Sequence, residues 1–292
     1  MMIELIGIQL LTGISYGFLL FLLAAGLSLI MGVMRILNLA HGSLYMVGAY
    51  VGVTFSRLFP DLFGNFWLTI LVSGITGGVI GLALERVCFS RLYKQVDEQM
   101  LLTLGFIYIF ENVCLWIWGP WLKLTSTPSF LSGSVMIGEL SFPIYRFMII
   151  AIGLAIAFGL WFLVERTRVG AIIRAGMDDQ EMAGGLGLNY RLVGTVLFFL
   201  GTFLAGSAGF LGSVLSGVSF SIGMPIMLLA VIVIVVGGLG SIPGALLGAI
   251  IVGVIDSFGR AFFPDLAMFS VYLLMIVILL VKPSGILGRG KV

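Results

Sequence analysis

The sequence predicts an all-α polytopic membrane protein, and three observations carry that prediction. Apolar residues make up 60% of the 292 positions and charged residues only 10%, against about 45–50% and 25% in soluble domains. The apolar positions fall in runs close to the roughly 20 residues that cross a bilayer. Short stretches that gather the charges, prolines and glycines separate those runs. A soluble chain cannot wet its surface with so few charges, and disorder needs the opposite composition. A net charge of +2 also leaves no basic stripe for nucleic acid.

The expected spans are 7–33, 40–56, 65–84, 100–119, 143–164, 192–214, 223–238, 243–259 and 267–281, inside a range of about eight to ten helices. The seventh and eighth are parted only by Gly237-Gly-Leu-Gly-Ser-Ile-Pro-Gly244, which reads as a tight turn or as a re-entrant pair. The first Lys or Arg is Arg35, so the first run lacks the basic lead of a signal peptide and reads as a retained span. Cys88 and Cys114 match no metal or disulfide spacing and read as packed side chains. Segments 165–191 and 120–142 are the longest loops. Neither suffices for a separate domain, so residues 1–292 form one.

Charge placement orients the chain. Alternating the nine spans puts Arg35, Arg86, Arg91, Lys94, Arg166, Arg168, Arg174, Arg191, Lys282, Arg289 and Lys291 on one side, and Arg57, Lys123, Arg146 and Arg260 on the other. The richer side is expected to be cytoplasmic, with the N-terminus outside and the C-terminus inside.

Two polar insertions stand in corresponding places. Asn38-Leu-Ala-His41-Gly42-Ser precedes a span and then glycines 74, 77, 78 and 81; Phe220-Ser-Ile-Gly223-Met-Pro225 precedes a span and then glycines 240, 244, 248 and 253. Paired Gly/Pro-interrupted segments of opposite entry point to an inverted repeat and a transport pathway; chance recurrence of membrane glycines is the alternative. Asn38 and His41 would line that pathway or brace a helix broken at Gly42, or else cap and pack, with His41 bonded to a carbonyl. Glu111 and Asn112 lie mid-span, where an ionisable group is costly and usually faces the bundle interior. They fit an ammonium contact, a partner chain or a hydrogen-bonded core. Asp256, near a span end, needs only to reach the interface.

The segment from Glu165 to Asn189 is the richest loop. Asp178 followed by Glu181 resembles a capping box, and Gly187 offers a stop. The short helix between them would expose Met182, Ala183 and Leu186, and a helix so short needs a docking partner. It reads as a coupling helix for a cytoplasmic partner, or as a solvated loop whose charges hold the topology. No Gly-x-x-x-x-Gly-Lys-[Ser/Thr] loop, paired carboxylates or metal-ligand cluster occurs in the sequence. The chain is therefore expected to be no enzyme and to bind no cofactor or metal.

The stretch Gly26-Leu-Ser-Leu-Ile-Met-Gly-Val-Met-Arg-Ile-Leu-Asn-Leu-Ala-His-Gly-Ser-Leu-Tyr-Met-Val-Gly-Ala-Tyr50 resembles the signature of the branched-chain amino-acid ABC permease family. So do Thr103-Leu-Gly105 with Glu111-Asn112, the Arg168-to-Leu188 segment, and Gly237 through Gly248. The resemblance implies a permease subunit in a bacterial inner membrane, surrounded by lipid. Its implied partners are a second homologous permease, two cytoplasmic ATP-binding subunits that hold the ATP and Mg, and a periplasmic solute-binding protein. It makes Asp178, Asp179, Glu181, Met182, Ala183, Leu186 and Gly187 the ATPase-coupling residues. The loop departs from the family's usual Glu-Ala-Ala by reading Glu181-Met-Ala183, which leaves open what residue 182 contacts. ATP-driven alternating access would carry branched-chain or other hydrophobic amino acids inward. Urea or short amides are the alternative within the family, and an ion-coupled secondary transporter is the alternative outside it.

Overall fold

A computed structural model describes residues 2–34, 36–60, 65–92, 95–138, 140–178 and 190–288. Among them, helices form at α1 (Met2–Met34), α2 (His41–Leu58), α3 (Asn65–Val87), α4 (Val96–Trp118), α5 (Ile144–Arg166), α6 (Arg168–Asp178), α7 (Tyr190–Ser216), α8 (Gly223–Gly237), α9 (Ile242–Phe262) and α10 (Ala267–Val281). Each apolar run of the sequence is a helix. Six of them, α1, α3, α4, α5, α7 and α9, are long and apolar enough to cross a membrane. Helices α8 and α10 are as apolar but have only 15 residues each, about 22 Å of rise, shorter than a hydrocarbon core of about 30 Å.

The turn between α8 and α9 is tight. Gly238 and Gly240 adopt φ of 110° and 74°, a region only glycine enters freely. Ser241 then caps α9 by accepting from the Gly244 N–H at 3.1 Å, with Pro243 in the first turn. Both devices start a helix without leaving donors unpaired.

Two segments differ from expectation. The stretch 165–191 is not wholly loop: Thr167 accepts from the Gly170 N–H at 3.0 Å and starts α6, which ends at Asp178. The short helix expected to start at Asp178 lies outside the described residues. Helix α6 buries Ile173, and Arg174 faces Glu165 across 3.6 Å. Its amphipathic pattern is masked in sequence by the arginines around it. In the 120–142 loop, a short antiparallel hairpin pairs β1 (Ser134–Ile137) with β2 (Leu140–Pro143), Val135 opposite Phe142.

Glycines decide which helices meet. Lipid tails are as apolar as leucine, so helices in a bilayer associate where small residues let backbones approach. A Cβ on Gly13 would lie 2.5 Å from the Val254 Cα, and one on Gly17 would lie 2.7 Å from the Ala249 carbonyl oxygen; α1 therefore seats on α9. A Cβ on Gly77 would lie 2.5 Å from the Thr202 carbonyl oxygen, and α3 seats on α7 in the same way. Helix α2 threads between, with Gly48 against Gly206.

The described residues sort onto two faces. At one, Gly32 lies beside Gly240 and Met177, Met34 beside Gly194, and the Thr195 hydroxyl donates to Glu85 at 3.1 Å. There the Ile286 and Leu287 N–H groups donate to Val236 and Gly237. At the other, the Ser257 hydroxyl donates to the backbone and side-chain oxygens of Gln9 at 2.9 and 2.8 Å. Lys123 and Val218 exchange backbone bonds there, and Arg57 donates to Leu124 at 2.6 Å.

Candidate functional site

The centre of the molecule is a break between helices. Helix α1 runs on to Met34, yet the His41 ring nitrogen Nε2 lies 3.2 Å from the Leu23 carbonyl oxygen. Leu23 is eleven residues, about 16 Å, short of the end of α1. The chain between α1 and α2 therefore turns back into the bundle, and α2 begins at depth. Ile36, Asn38 and His41 on this return are fully buried. The start of α8 meets it there: a Cβ on Gly42 would strike the Gly223 carbonyl oxygen, and one on Gly223 would lie 3.2 Å from Ser43 Oγ. Gly42 is required by this close approach, and at Gly223 a side chain would fit only with a small shift of Ser43. The side-chain amide of Asn38, Nδ1 of His41 and the Ser43 hydroxyl find no hydrogen-bond partner among the described residues. Each such buried group costs about 1–3 kcal/mol, so their gathering at one break calls for a structural or functional reason.

Two cavities flank the break, one toward each face. The first, about 480 Å³, is bordered by Gln9, Tyr16, Tyr45, Arg146, Pro225 and Asp256, among others. The second, about 460 Å³, is bordered by Gly32, Trp161, Arg174, Met177 and Gly240. Along α1, Gln9 and Gly32 stand about 35 Å apart. Between them Leu20 through Leu27 are buried, so packed core lies between the two cavities along α1.

In the first cavity Asp256 is 6% exposed and accepts from Arg260 Nε at 2.8 Å. Sequence reasoning placed Asp256 at the interface. The helix-turn spacing to Arg260, which lets the pair form within one face, was the signal for its burial. Gln9, Tyr16 and Arg146 were not singled out. They come from α1 and α5, and nothing local in the sequence announces that those helices converge on α9.

The predicted residues divide clearly. Asn38, His41, Gly42 and Gly223 gather at the break, and Pro225 borders the first cavity. Glu111 and Asn112 do not join them. The inward stripe of α4 is Gln99, Thr103, Ile107 and Cys114. Asn112 is about 140° around the helix from Ile107, is exposed, and donates to its own helix at Tyr108 O, 2.8 Å away. Glu111 is at the edge of that stripe, half-buried. Asp179, Glu181, Met182, Ala183, Leu186 and Gly187 lie outside the described residues, and only the backbone of Asp178 is described. Among the described residues no group of His, Cys, Asp and Glu could hold a metal ion.

The chain is 29% identical to the high-affinity branched-chain amino acid transport system permease protein BraD of Pseudomonas aeruginosa, over 97% of this chain and 96% of that one. It is 28% identical to the permease protein LivH of Escherichia coli K12, over the same shares. A more distant relative, LivM of the same organism, is 25% identical over 92% of this chain and 68% of its own length. No solved structure matches. The family described as the branched-chain amino acid transport system permease component matches residues 9–279. This multi-pass membrane chain belongs to that family.

Proposed function

We propose that the chain is the permease subunit of a binding-protein-dependent ABC importer that carries branched-chain or similar hydrophobic amino acids into the cytoplasm. The observation that carries this reading is the family match over residues 9–279, joined by relatives of equal length named for that transport. Two cavities, one toward each face with packed core between them, are compatible with alternating access to a site between the two sides.

The rest of the reading follows from topology and charge. The face with Gly32, Met177 and Gly240 also holds most of the basic residues and is the cytoplasmic one; the Gln9 and Asp256 face is then outside, in an inner membrane. Helix α6 sits on the cytoplasmic face immediately before residues 179–188. Those residues dock on the ATP-binding subunits and transmit nucleotide-driven closure to α1, which α6 touches through Gly32 and Met177. ATP and Mg stay in those subunits, and a periplasmic binding protein delivers the solute. A second permease resembling LivM completes the pair. The seating of α3 on α7 and of α9 on α1 exchanges equivalent helices between the halves, which supports an inverted repeat. Ion-coupled transport finds less support, because Asp256 is already paired with Arg260 and Glu111 belongs to a peripheral helix.

The test is uptake of labelled leucine, isoleucine and valine by cells lacking their own importers and given this chain with its genomic neighbours. Uptake that requires the ATP-binding subunits is expected. Ala183→Arg should abolish it while the protein still inserts; normal uptake by that variant, or uptake by this chain alone, would overturn the coupling role.

A further inference from the structure

We propose that the cavity at the Gln9 face is an amino-acid subsite within this chain, in which Arg146 receives the carboxylate, Asp256 the ammonium, and Leu19, Ile226 and Leu229 the apolar side chain. It rests on the importer reading and deepens it. Three charged groups converge on one 480 Å³ space that is otherwise largely apolar, a volume inside the range of small-molecule sites. Arg146 stands in the first turn of α5 and Arg260 in the last turn of α9, while Asp256, one turn deeper, is buried.

The pairing inside the cavity is incomplete in a way that fits a zwitterion. Asp256 gives Oδ2 to Arg260, while its Oδ1 accepts nothing among the described residues and is not sealed from the cavity. Arg146, half-buried, has no ion-pair or hydrogen-bond partner among the described residues. Two guanidinium groups and one carboxylate leave one positive charge in excess. A bound zwitterion leaves that net charge unchanged; what it matches is the arrangement, its carboxylate meeting the unpaired Arg146 and its ammonium the free oxygen of Asp256. The start of α8 at Pro225 adds the positive end of a helix to the same wall. Urea or a short amide brings no charge to offset Arg146, and a simple carboxylic acid leaves Asp256 Oδ1 unmet. The charges thus select zwitterions, and the apolar wall selects hydrophobic ones.

Proteoliposomes carrying the complete complex, supplied with loaded binding protein and labelled leucine, test the subsite. Arg146→Gln is expected to lower uptake roughly tenfold with the ATP-binding subunits still copurifying, and Arg146→Lys to restore a good part of it. Ile222→Trp, which fills the cavity without altering a charge, should lower uptake to a similar degree. If all three variants import at the wild-type rate, the subsite is overturned and the importer reading stands. If only the tryptophan blocks uptake, the cavity is a conduit and the charge recognition is overturned. A wild-type complex that imports no leucine, isoleucine or valine overturns both.

Discussion

Helices α1 and α5 are nearly alike in sequence character and opposite in position. Both are long enough and apolar enough to cross a membrane, yet 89% of the most apolar stretch of α1 is buried and only 17% of that of α5. The difference lies in the small residues. Gly13, Gly17 and Gly26 each bring the backbone of another helix against α1, whereas in α5 Gly153 meets only the Phe18 side chain and Gly159 faces nothing within 4 Å. Apolarity takes a helix into the bilayer; glycine placement takes it into the bundle.

Steric substitution is the strongest way to break this contrast. Gly17→Leu would drive a side chain into the backbone of Ala249 and Ile250, where overpacking costs about 1–3 kcal/mol or more. The detergent-extracted chain is expected to lose its monodisperse peak in fluorescence-detected size exclusion. Gly159→Leu should leave that peak and the apparent melting temperature unchanged, since open surface positions shift stability by no more than about 0.5 kcal/mol. Equal damage from both would mean that glycine seams do not set the packing.

A smaller effect sharpens how α5 is held. The Tyr145 hydroxyl donates to the Leu211 carbonyl at 2.8 Å from a buried ring. Tyr145→Phe removes one such bond, about 1 kcal/mol, and a fall of a few degrees in apparent melting temperature is expected. Smallest of all, Asn112→Leu on the outward side of α4 should not change the melting temperature of the isolated chain, because its amide bonds only its own helix. A marked loss there would place Asn112 in the interior after all.

Much of the fold was legible in the sequence because membrane helices obey a local rule. Each must satisfy its own backbone bonds and present apolar side chains, so the apolar runs became helices with ends close to those expected. Helix α6 was less legible, because its apolar positions alternate with arginines that read as loop. At the site, the Asn38-to-Gly42 break announced itself through polar residues at a span boundary. Arg146 looked like any outer-side arginine, and Asp256 looked like a residue near the water.

The sequence by itself determined that the chain lives in a membrane, roughly where its apolar helices lie, and to which family it belongs. All of these depend on residue type and spacing along one chain. Only the tertiary structure decided that α2 and α8 start against one another at depth, that α4 and α5 stay peripheral, and that Arg146 and Asp256 share a cavity. Those facts depend on which helix surfaces fit closely enough to touch, a matter of shape complementarity between segments more than a hundred residues apart, and no local pattern encodes it.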